Sequence, residues 1–208
     1  PPMQSTVVIA GAGHAAGQTI VSLRQGGFPG RIVLVGDEPY LPYQRPPLSK
    51  KFLAGELDVP RLLLRQEKFY ADHAVDVLLN TRVTRIEPGA RTAELSTGQR
   101  LGYDKLVLAT GSRVREVDLP GARLPGVHYL RTIEDVDRIR AHFHAGSSLV
   151  IIGAGGVVRT AHLPVYQRLK FPVAGLYDIN PDASRETARR FGVSAVFASL
   201  ADAAASPD

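Results

Sequence analysis

The chain has 208 residues, of which 44% are hydrophobic and 22% charged, with a formal net charge of +5 and no cysteine. This composition is typical of a globular protein with one large domain or two small ones. Because the sequence contains no thiol, it excludes a disulfide, a zinc–thiolate site and an iron–sulfur cluster held by these residues. Any redox chemistry must therefore use a bound organic cofactor.

The positive charge is scattered along the chain, mostly as arginine, and forms no run that would indicate a nucleic-acid site. It is compatible with attraction to an acidic protein partner or to phosphate-bearing cofactors. No apolar run is long enough to cross a bilayer, and the first residues, PPMQST, lack the basic and apolar regions of a signal peptide. We therefore expect a cytoplasmic protein that binds neither nucleic acid nor membrane.

The N-terminal segment predicts a strand, a glycine turn, a helix and a second strand. The apolar run Thr6–Ala10 leads into the turn at 11–17, the helix covers His14–Gln25, and the second strand covers Arg31–Val35. This order is typical of the first half of a nucleotide-binding α/β unit.

The middle of the chain predicts short helices and a small antiparallel sheet. The density of proline at 40–47, YLPYQRPP, excludes a regular helix or a central strand. Short helices are predicted around 48–54 and 67–73. Alternating segments then predict an antiparallel β-meander, followed by one apolar strand that stops at Thr110 and Gly111. These segments are 82–87, 91–95, Arg100–Gly102 and 105–109.

The remaining residues predict a linker, a helix and a second strand–turn–helix unit. Residues 113–126 are rich in proline and glycine and are predicted to be a linker. Thr132 and Asp135 form a capping-box pattern that opens a helix ending at about residue 144. The strand Leu149–Ile152 leads into a second glycine turn, and the helix that follows runs to about residue 170, interrupted or kinked by Pro164.

Three more elements complete the second unit. Val173–Tyr177 is predicted to be a strand, and the next helix has Asn180 as its cap, Pro181 at its first position and Gly192 at its end. A short strand at 195–198 and a final turn of helix follow.

The glycine turns carry the functional prediction. A Gly-x-Gly turn between a strand and a helix leaves backbone N–H groups that a pyrophosphate can reach, and the helix dipole favours its negative charge. Asp37 follows Gly11 by 26 residues and Asp178 follows Gly153 by 25, near the spacing at which an acid meets a ribose hydroxyl. Both turns therefore predict a dinucleotide site, and the alternative is a tight turn that merely tolerates glycine.

Several segments resemble the FAD-dependent ferredoxin reductases of the pyridine-nucleotide–disulfide oxidoreductase superfamily. They are VVIAGAGHAAG, YLPYQRPPLSK, DKLVLATGSR and HYLRTIEDVDRIR, and the resemblance runs from the N-terminus through about Gly155. It implies an enzyme that passes electrons from NAD(P)H through FAD to a ferredoxin-type iron–sulfur protein. The absence of cysteine agrees, because this branch of the superfamily has no redox disulfide.

The resemblance also implies which residues meet the cofactors. In RPPLSK, Arg45 and Lys50 would reach the flavin, and Lys50, near the isoalloxazine, is the candidate catalytic residue. The chain departs from the family pattern at Gln44, which stands where an acidic residue is frequent. Asp37 would meet the adenosine ribose, and the Val83 backbone would meet the adenine. The remaining FAD-binding candidates are Gly11, Ala12, Gly13, His14, Ala15, Thr110, Gly111 and Arg131.

Gly153, Gly155 and Asp178 are the corresponding candidates for NAD(P) at the second turn. We expect NAD to be preferred over NADP, because the Asp178 carboxylate would accept from the ribose 2′-hydroxyl and repel a 2′-phosphate. The alternative is that Asp178 merely ends a strand.

After Gly155 the resemblance changes. The segment GVVRTAHLPVYQ and the residues after it are similar to the opening of the glucose–fructose oxidoreductase and inositol dehydrogenase family. We therefore predict a chimera joined at the shared string VIIGAG. This leaves two alternative functions: an NAD(P)-dependent dehydrogenase of that second type, and a nucleotide-binding module without catalysis.

The predicted fold class is α/β: a Rossmann-like FAD/NAD(P)-binding parallel sheet with an antiparallel β-meander, followed by a partial second Rossmann unit. The expected divisions are an FAD-binding domain at 1–112, a linker and helix at 113–146, and a partial NAD(P)-binding unit at 147–208. In the resembling family the chain returns to complete the FAD domain after the NAD domain. These 208 residues do not contain that return, so we expect poor FAD binding and low reductase turnover.

The histidines predict no metal site. His128, His142 and His144 are candidates by proximity in sequence, but their spacing on a predicted helix favours solvated helix-end side chains. His162 matches the HLP string of the dehydrogenase family, and we expect a structural role for it.

Overall fold

A computed structural model describes residues 5–116, 118, 122–143 and 146–205 of the chain. These residues form two compact units. The first unit contains the chain up to Gln44 together with Val59–Ser112, and the second contains Arg45–Asp58 together with the residues from Arg113 onward.

The described residues form strands, α-helices and two π-type helical turns. The strands are β1 (Thr6–Ala10), β2 (Arg31–Val35), β3 (Val75–Leu78), β4 (Val83–Glu87), β5 (Thr92–Leu95), β6 (Arg100–Gly102), β7 (Lys105–Leu108), β8 (Leu149–Ile152), β9 (Val173–Tyr177) and β10 (Ala195–Val196). The helices are α1 (His14–Gln25), α2 (Val59–Leu62), α3 (Glu67–Asp72), α4 (Ile133–Ala141), α5 (Leu163–Arg168), α6 (Pro181–Phe191) and α7 (Leu200–Ala204). The π-type turns span Leu48–Phe52 and Val158–His162.

The first unit is built on a parallel four-stranded sheet in the order β3-β2-β1-β7. Successive side chains of a strand point to opposite faces. Ile9 on β1 packs with Ile20 of α1 on one face, which we call the helix face. Val8 packs with Leu95 and Leu101 of the meander on the other face, which we call the meander face. The apolar run of β1 is therefore buried on both sides, as expected for a central parallel strand.

The meander is confirmed as a separate antiparallel sheet in the order β4-β5-β6. Strand β5 begins at Thr92, one residue later than we predicted, because Arg91 has a φ of +49° and cannot continue an extended strand. A register shift between Val83 and Arg85 marks a bulge at the start of β4.

Two elements of the first unit were not predicted, namely β3 and the short helix α2. Strand β3 has the sequence VDVL and pairs with β2 from Val75 to Leu78. The helix predicted at 48–54 is irregular, since Lys50 has non-helical angles (φ −131°, ψ −112°) within the Leu48–Phe52 turn.

The second unit contains a parallel three-stranded sheet in the order β10-β9-β8. The helix after the second glycine turn is interrupted as predicted, since the π-type turn Val158–His162 precedes α5, which carries Pro164. Proline lacks an N–H and its ring crowds the carbonyl four residues earlier, so the preceding turn widens.

The predicted helix caps of the second unit are also present. Asn180 accepts the N–H groups of Asp182 and Ala183, and Gly192 ends α6 with a φ of +68°. Thr132 and Asp135 form the predicted capping box of α4. Helix α4 ends at Ala141, and its predicted end at residue 144 falls outside the described residues.

The α/β fold class is thereby confirmed, with a parallel sheet, an antiparallel meander and a second parallel strand–turn–helix unit. Residues 45–58 group with the chain after residue 112. The division into 1–112, 113–146 and 147–208 stays a prediction. In the part of the chain that the structure describes, we find no helix with the length and apolarity needed to span a membrane.

Candidate functional site

The first glycine turn leaves β1 at the carboxyl edge of the parallel sheet. Gly11 has a φ of +109°, and its N–H donates to the Val35 carbonyl oxygen at 2.8 Å. A Cβ on Gly11 would lie 2.3 Å from the Ala109 carbonyl oxygen, which no side chain tolerates. Gly11 is therefore required both by its backbone conformation and by the close approach of the chain after β7.

The first turn of α1 has no side-chain cap. Gly13 occupies the N-cap position, and no side chain of the described residues caps this helix there. A Cβ on Gly13 would meet no atom within 4 Å. The first N–H groups of α1 therefore remain available to an acceptor at this edge of the sheet.

The small residues after Gly13 have different positions. His14 and Ala15 are exposed at the start of α1, whereas Ala16 is fully buried against the helix face. We did not single out Ala16, although it occupies the third small-residue position of the GxGxxG/A pattern, after Gly11 and Gly13. Its burial provides the close helix–strand packing that this position supplies in a dinucleotide fold.

Asp37 follows β2 at the same edge and is held by Arg82. Arg82 Nε donates to Asp37 Oδ1 at 3.1 Å, and Arg82 Nη2 donates to Asp37 Oδ2. This hydrogen bonding raises the pKa of Arg82. Both side chains are mostly exposed, so the pair orients Asp37 and adds little stability. Arg82 directly precedes Val83, the first residue of β4, and sequence reasoning did not identify it.

Thr110 and Gly111 complete the edge. Ala109 N–H donates to the Ala10 carbonyl oxygen at 2.8 Å, so the chain leaves β7 beside the glycine turn. Gly111 has a φ of +66°. The structure thus brings Gly11, Asp37 and Thr110 to one edge of the first unit, at the carboxyl ends of adjacent parallel strands, where dinucleotides bind in α/β folds.

Arg45 and Arg131 are brought together in the second unit. Arg45 Nη1 donates to the Arg131 carbonyl oxygen at 2.7 Å. Arg131 N–H donates to Asp135 Oδ2 at 2.8 Å, which fixes Arg131 at the N-terminus of α4. Burial opposes ionisation of Asp135, but hydrogen bonds from the Thr132 and Arg131 N–H groups outweigh it and lower the pKa of the carboxyl.

Lys50 lies at the kink of the Leu48–Phe52 turn in the same unit and is half-buried. Its ammonium donates to the Pro46 carbonyl oxygen at 3.0 Å and to Ser49 Oγ at 3.3 Å. Burial, and then the charge of Lys50, lower the pKa of His162 below its ordinary value. His162 is therefore neutral at neutral pH, and its proposed structural role stays a prediction.

The second glycine turn is tied to Asp178. Gly153 has a φ of +103°, and its N–H donates to the Tyr177 carbonyl oxygen at 2.6 Å. The Asp178 carboxylate accepts the Ala154 N–H at 2.6 Å and the Asn180 N–H at 2.8 Å, and these bonds lower its pKa. A Cβ on Gly153 or on Gly155 would meet no atom within 4 Å. Asp178 is thus ionised and lies at the turn.

The histidine candidates form no metal site among the described residues, since no group of three potential ligands comes together there. His144 lies outside those residues. His142 ends α4, and its ring centroid lies 4.6 Å from that of His128. The expectation of solvated side chains is wrong for His128, because its Nε2 is buried without a hydrogen-bond partner in the described structure.

Comparison with known proteins places the chain in a family. A profile of the pyridine nucleotide-disulphide oxidoreductase family matches residues 5–158. Rhodocoxin reductase of Rhodococcus erythropolis is 47% identical over 150 residues, which are 72% of this chain and 35% of that protein. The ferredoxin reductase component of a chlorobenzene dioxygenase from a Cupriavidus species is 38% identical over 190 residues, or 91% of this chain and 46% of that one.

Two solved structures show the same architecture. A ferredoxin reductase of Rhodopseudomonas palustris has a TM-score of 0.79 at 37% identity, covering 92% of this chain and half of that one. Putidaredoxin reductase, crystallised as a covalent complex with putidaredoxin, has a TM-score of 0.76 at 35% identity, covering 92% of this chain and 49% of that one. The chain therefore belongs to the pyridine nucleotide-disulphide oxidoreductase family, and it spans between about a third and a half of the length of these relatives.

Proposed function

We propose that this chain is part of an FAD-dependent NAD(P)H oxidoreductase that passes electrons to a ferredoxin-type iron–sulfur protein. The observation that carries the proposal is the first unit's sheet edge, where Gly11, Asp37 and Thr110 meet at the carboxyl ends of three parallel strands. Family membership and the reductases named above support the same chemistry.

The residues at this edge fit FAD. The space beside Gly13 and the uncapped N–H groups of α1 suit a diphosphate, and the Asp37 carboxylate suits the adenosine ribose. Arg82, the residue before β4, holds Asp37 in place. Val83 begins β4 directly after this pair, and this position supports a contact of its backbone with the adenine. When bound, FAD would accept a hydride from the nicotinamide and release the electrons one at a time.

We assign the flavin contacts to Arg45, Lys50 and Arg131. Arg45 and Arg131 are linked by a hydrogen bond, so they would act as one preorganised group toward the cofactor. The Lys50 ammonium is held by Pro46 and Ser49, which fixes its charge at a kinked turn. Such a charge stabilises negative charge that develops on a reduced ring.

The second turn would hold the nicotinamide cofactor. Gly153 and Gly155 leave open space at the turn, and the ionised Asp178 lies where the ribose of a dinucleotide would be bound. NAD(P) is therefore assigned to the second glycine turn, and the diphosphate and adenosine of FAD to the first.

The electron acceptor is proposed from the relatives. One of them is a ferredoxin reductase component, and another was crystallised with putidaredoxin. The net charge of +5 suits an acidic protein partner. A cytoplasmic location, without nucleic-acid or membrane partners, completes the proposal.

We also propose that the segment after Gly155 has a separate origin, in the glucose–fructose oxidoreductase and inositol dehydrogenase type of protein. The profile match ends at residue 158, although the Cupriavidus reductase component aligns over 190 residues. The proposal therefore rests on the segment GVVRTAHLPVYQ, which follows the shared string VIIGAG. Sequencing the source DNA across the codons for Leu149 to His162 distinguishes a natural fusion from an engineered one. Natural ferredoxin reductases that carry GVVRTAHLP at this position would contradict a separate origin.

The reductase function is tested by anaerobic reduction of ferricyanide with NADH, with and without saturating FAD. We expect a rate that depends on added FAD, and we expect Lys50→Ala to lower it about tenfold or more. Lys51→Ala is the matched control, because Lys51 is the exposed neighbour on the same turn, and it should leave the rate unchanged.

In chain stripped of bound flavin, a rate that is independent of added FAD would contradict the proposal, and so would equal losses in the two lysine variants.

A further inference from the structure

Two carboxylates connect the second glycine turn to α6. The Asp178 carboxylate accepts the Ala154 N–H of the turn at 2.6 Å and the N–H of Asn180, the cap of α6, at 2.8 Å. Glu186 lies on α6 itself, and its Oε2 is 3.6 Å from Nη1 of Arg159. Both contacts join the chain after β8 to the chain after β9, which is where a Rossmann unit holds the adenosine ribose of a dinucleotide.

Arg159 stands on the first helical turn after the glycines. Its N–H donates to the Gly155 carbonyl oxygen at 3.1 Å. Its side chain is 31% exposed, so the guanidinium is partly desolvated while a ligand can still reach it. The planar guanidinium, with its fixed set of N–H donors, suits a phosphate group. Sequence reasoning assigned no role to this residue.

The charge of Arg159 acts on the Asp178 carboxylate. The N–H groups of Ala154 and Asn180 lower the pKa of Asp178 most, burial works in the opposite direction, and the positive charge of Arg159 lowers it further. A negative and a positive side chain therefore stand beside the position proposed for the ribose. They act in opposite directions on a 2′-phosphate bound there.

We propose that Arg159 is a further specificity residue of the nicotinamide cofactor site, and that its guanidinium attracts the 2′-phosphate of NADP and offsets part of the repulsion by Asp178. NADH remains preferred, but by only about tenfold. Glu186 competes for the same guanidinium and restrains the attraction. The inference rests on the proposed function, because it needs NAD(P) at the second glycine turn.

The proposal is tested by fluorescence titration of NADH and of NADPH into the full chain at low ionic strength, where charges are screened least. The quantity compared is the ratio of the two dissociation constants, which a general loss of affinity leaves unchanged. Arg159→Gln should widen the preference for NADH about threefold or more, because the attraction it removes acts most on the extra phosphate of NADPH. Glu186→Gln should narrow the preference, because the guanidinium is no longer neutralised.

Arg185→Gln is the matched control. Arg185 directly precedes Glu186 on α6, carries the same charge as Arg159 and forms its ion pair with Asp182 at 2.7 Å. Its replacement removes one positive charge from the same unit and should leave the ratio unchanged.

A ratio that Arg159→Gln leaves unchanged would overturn the proposal, and so would an equal change in Arg185→Gln, since the effect would then be one of net charge. Both results presuppose that NADH binds, so they leave the proposed function in place. Absence of binding of either cofactor by the unmodified chain would contradict NAD(P) at the second turn, and this inference with it.

A second measurement needs no cofactor. Titration of the Asp178 carboxyl carbon by NMR should give a higher pKa in Arg159→Gln than in the unmodified chain, because a nearby positive charge is lost. Arg185→Gln should leave this pKa unchanged. An equal pKa in the unmodified chain and in Arg159→Gln would show that the guanidinium does not act on the ribose position, and would overturn the proposal.

Discussion

Gly11 and Gly13 belong to one motif but have different physical reasons to be glycine. Gly11 combines a positive φ with a carbonyl oxygen at the position its Cβ would need. Gly13 has an extended backbone and open space around its missing side chain. The first residue is therefore required by folding, whereas the second leaves room for a ligand.

This contrast predicts different losses of stability for two alanine variants. Gly11→Ala should lower the free energy of unfolding by about 2 kcal/mol or more, because it adds a strained φ to a backbone collision. Gly13→Ala should change it by less than about 0.5 kcal/mol, as a substitution into open space does. Urea denaturation followed by circular dichroism measures both values. Equal losses in the two variants would contradict the geometric distinction.

Asp178 combines a structural contact with a partly exposed charge. Its carboxylate accepts N–H groups from Ala154 and Asn180, which keeps it ionised and oriented at the second glycine turn. A carboxylate has further acceptor capacity, so these contacts do not prevent a hydrogen bond with a ribose hydroxyl.

The same charge predicts selectivity between nicotinamide cofactors. NADH should bind about tenfold more tightly than NADPH, because Asp178 repels a 2′-phosphate. Fluorescence titration of both cofactors gives the ratio, which Asp178→Asn should reduce. Asp182→Asn, on the exposed surface of α6, is the control and should preserve it. Equal affinity of the unmodified chain for the two cofactors would show that Asp178 has no ribose role.

At the scale of elements, the capping box of α4 also positions a candidate cofactor contact. Asp135 Oδ2 accepts the N–H groups of Thr132 at 2.7 Å and of Arg131 at 2.8 Å. Loss of this carboxylate would release both the helix start and Arg131.

We therefore predict that Asp135→Asn lowers the free energy of unfolding by about 1 kcal/mol at pH 7. The Asp135 pKa is lowered by folding, so its contribution is complete above the unfolded pKa of about 3.9 and is lost as pH falls through the folded pKa. The difference between variant and unmodified chain should therefore shrink as the pH falls below about 3.9. Glu134→Gln removes a charge from the same turn and is the control. A difference that persists at low pH would contradict the cap.

The elements recovered from the sequence are those with strong local signals. The apolar run of β1, the alternation of the meander and the Asn180 cap each depend on neighbouring residues, and each was confirmed. Strand β3 was missed because VDVL is short and its pairing with β2 joins residues more than 40 positions apart.

At the scale of the whole molecule, the grouping of the RPPLSK segment could not be predicted. The sequence places Arg45 and Lys50 between the two halves of the first unit, and the structure groups 45–58 with the chain after residue 112. Non-local contacts produce this arrangement: Arg140 donates to the Phe52 carbonyl oxygen, and Arg168 forms an ion pair with Glu56 at 2.7 Å. No local pattern in the sequence encodes such pairs. The ion pair of Arg82 with Asp37 could not be predicted for the same reason.

The central claim is that the first unit is an FAD site, and titration of the full chain with FAD tests it most directly. Quenching of flavin fluorescence gives the affinity for the unmodified chain, for Gly13→Ala and for Gly89→Ala. Gly89 lies in a turn of the meander, and a Cβ there would also meet no atom within 4 Å. It is therefore a matched control for the same substitution in open space.

We predict saturable FAD binding by the unmodified chain. Gly13→Ala should weaken this binding about tenfold or more, because its added methyl occupies the space assigned to the diphosphate. Gly89→Ala should leave the affinity unchanged. Absence of saturable binding, or an affinity that Gly13→Ala leaves unchanged, would contradict the assignment of FAD to the first glycine turn.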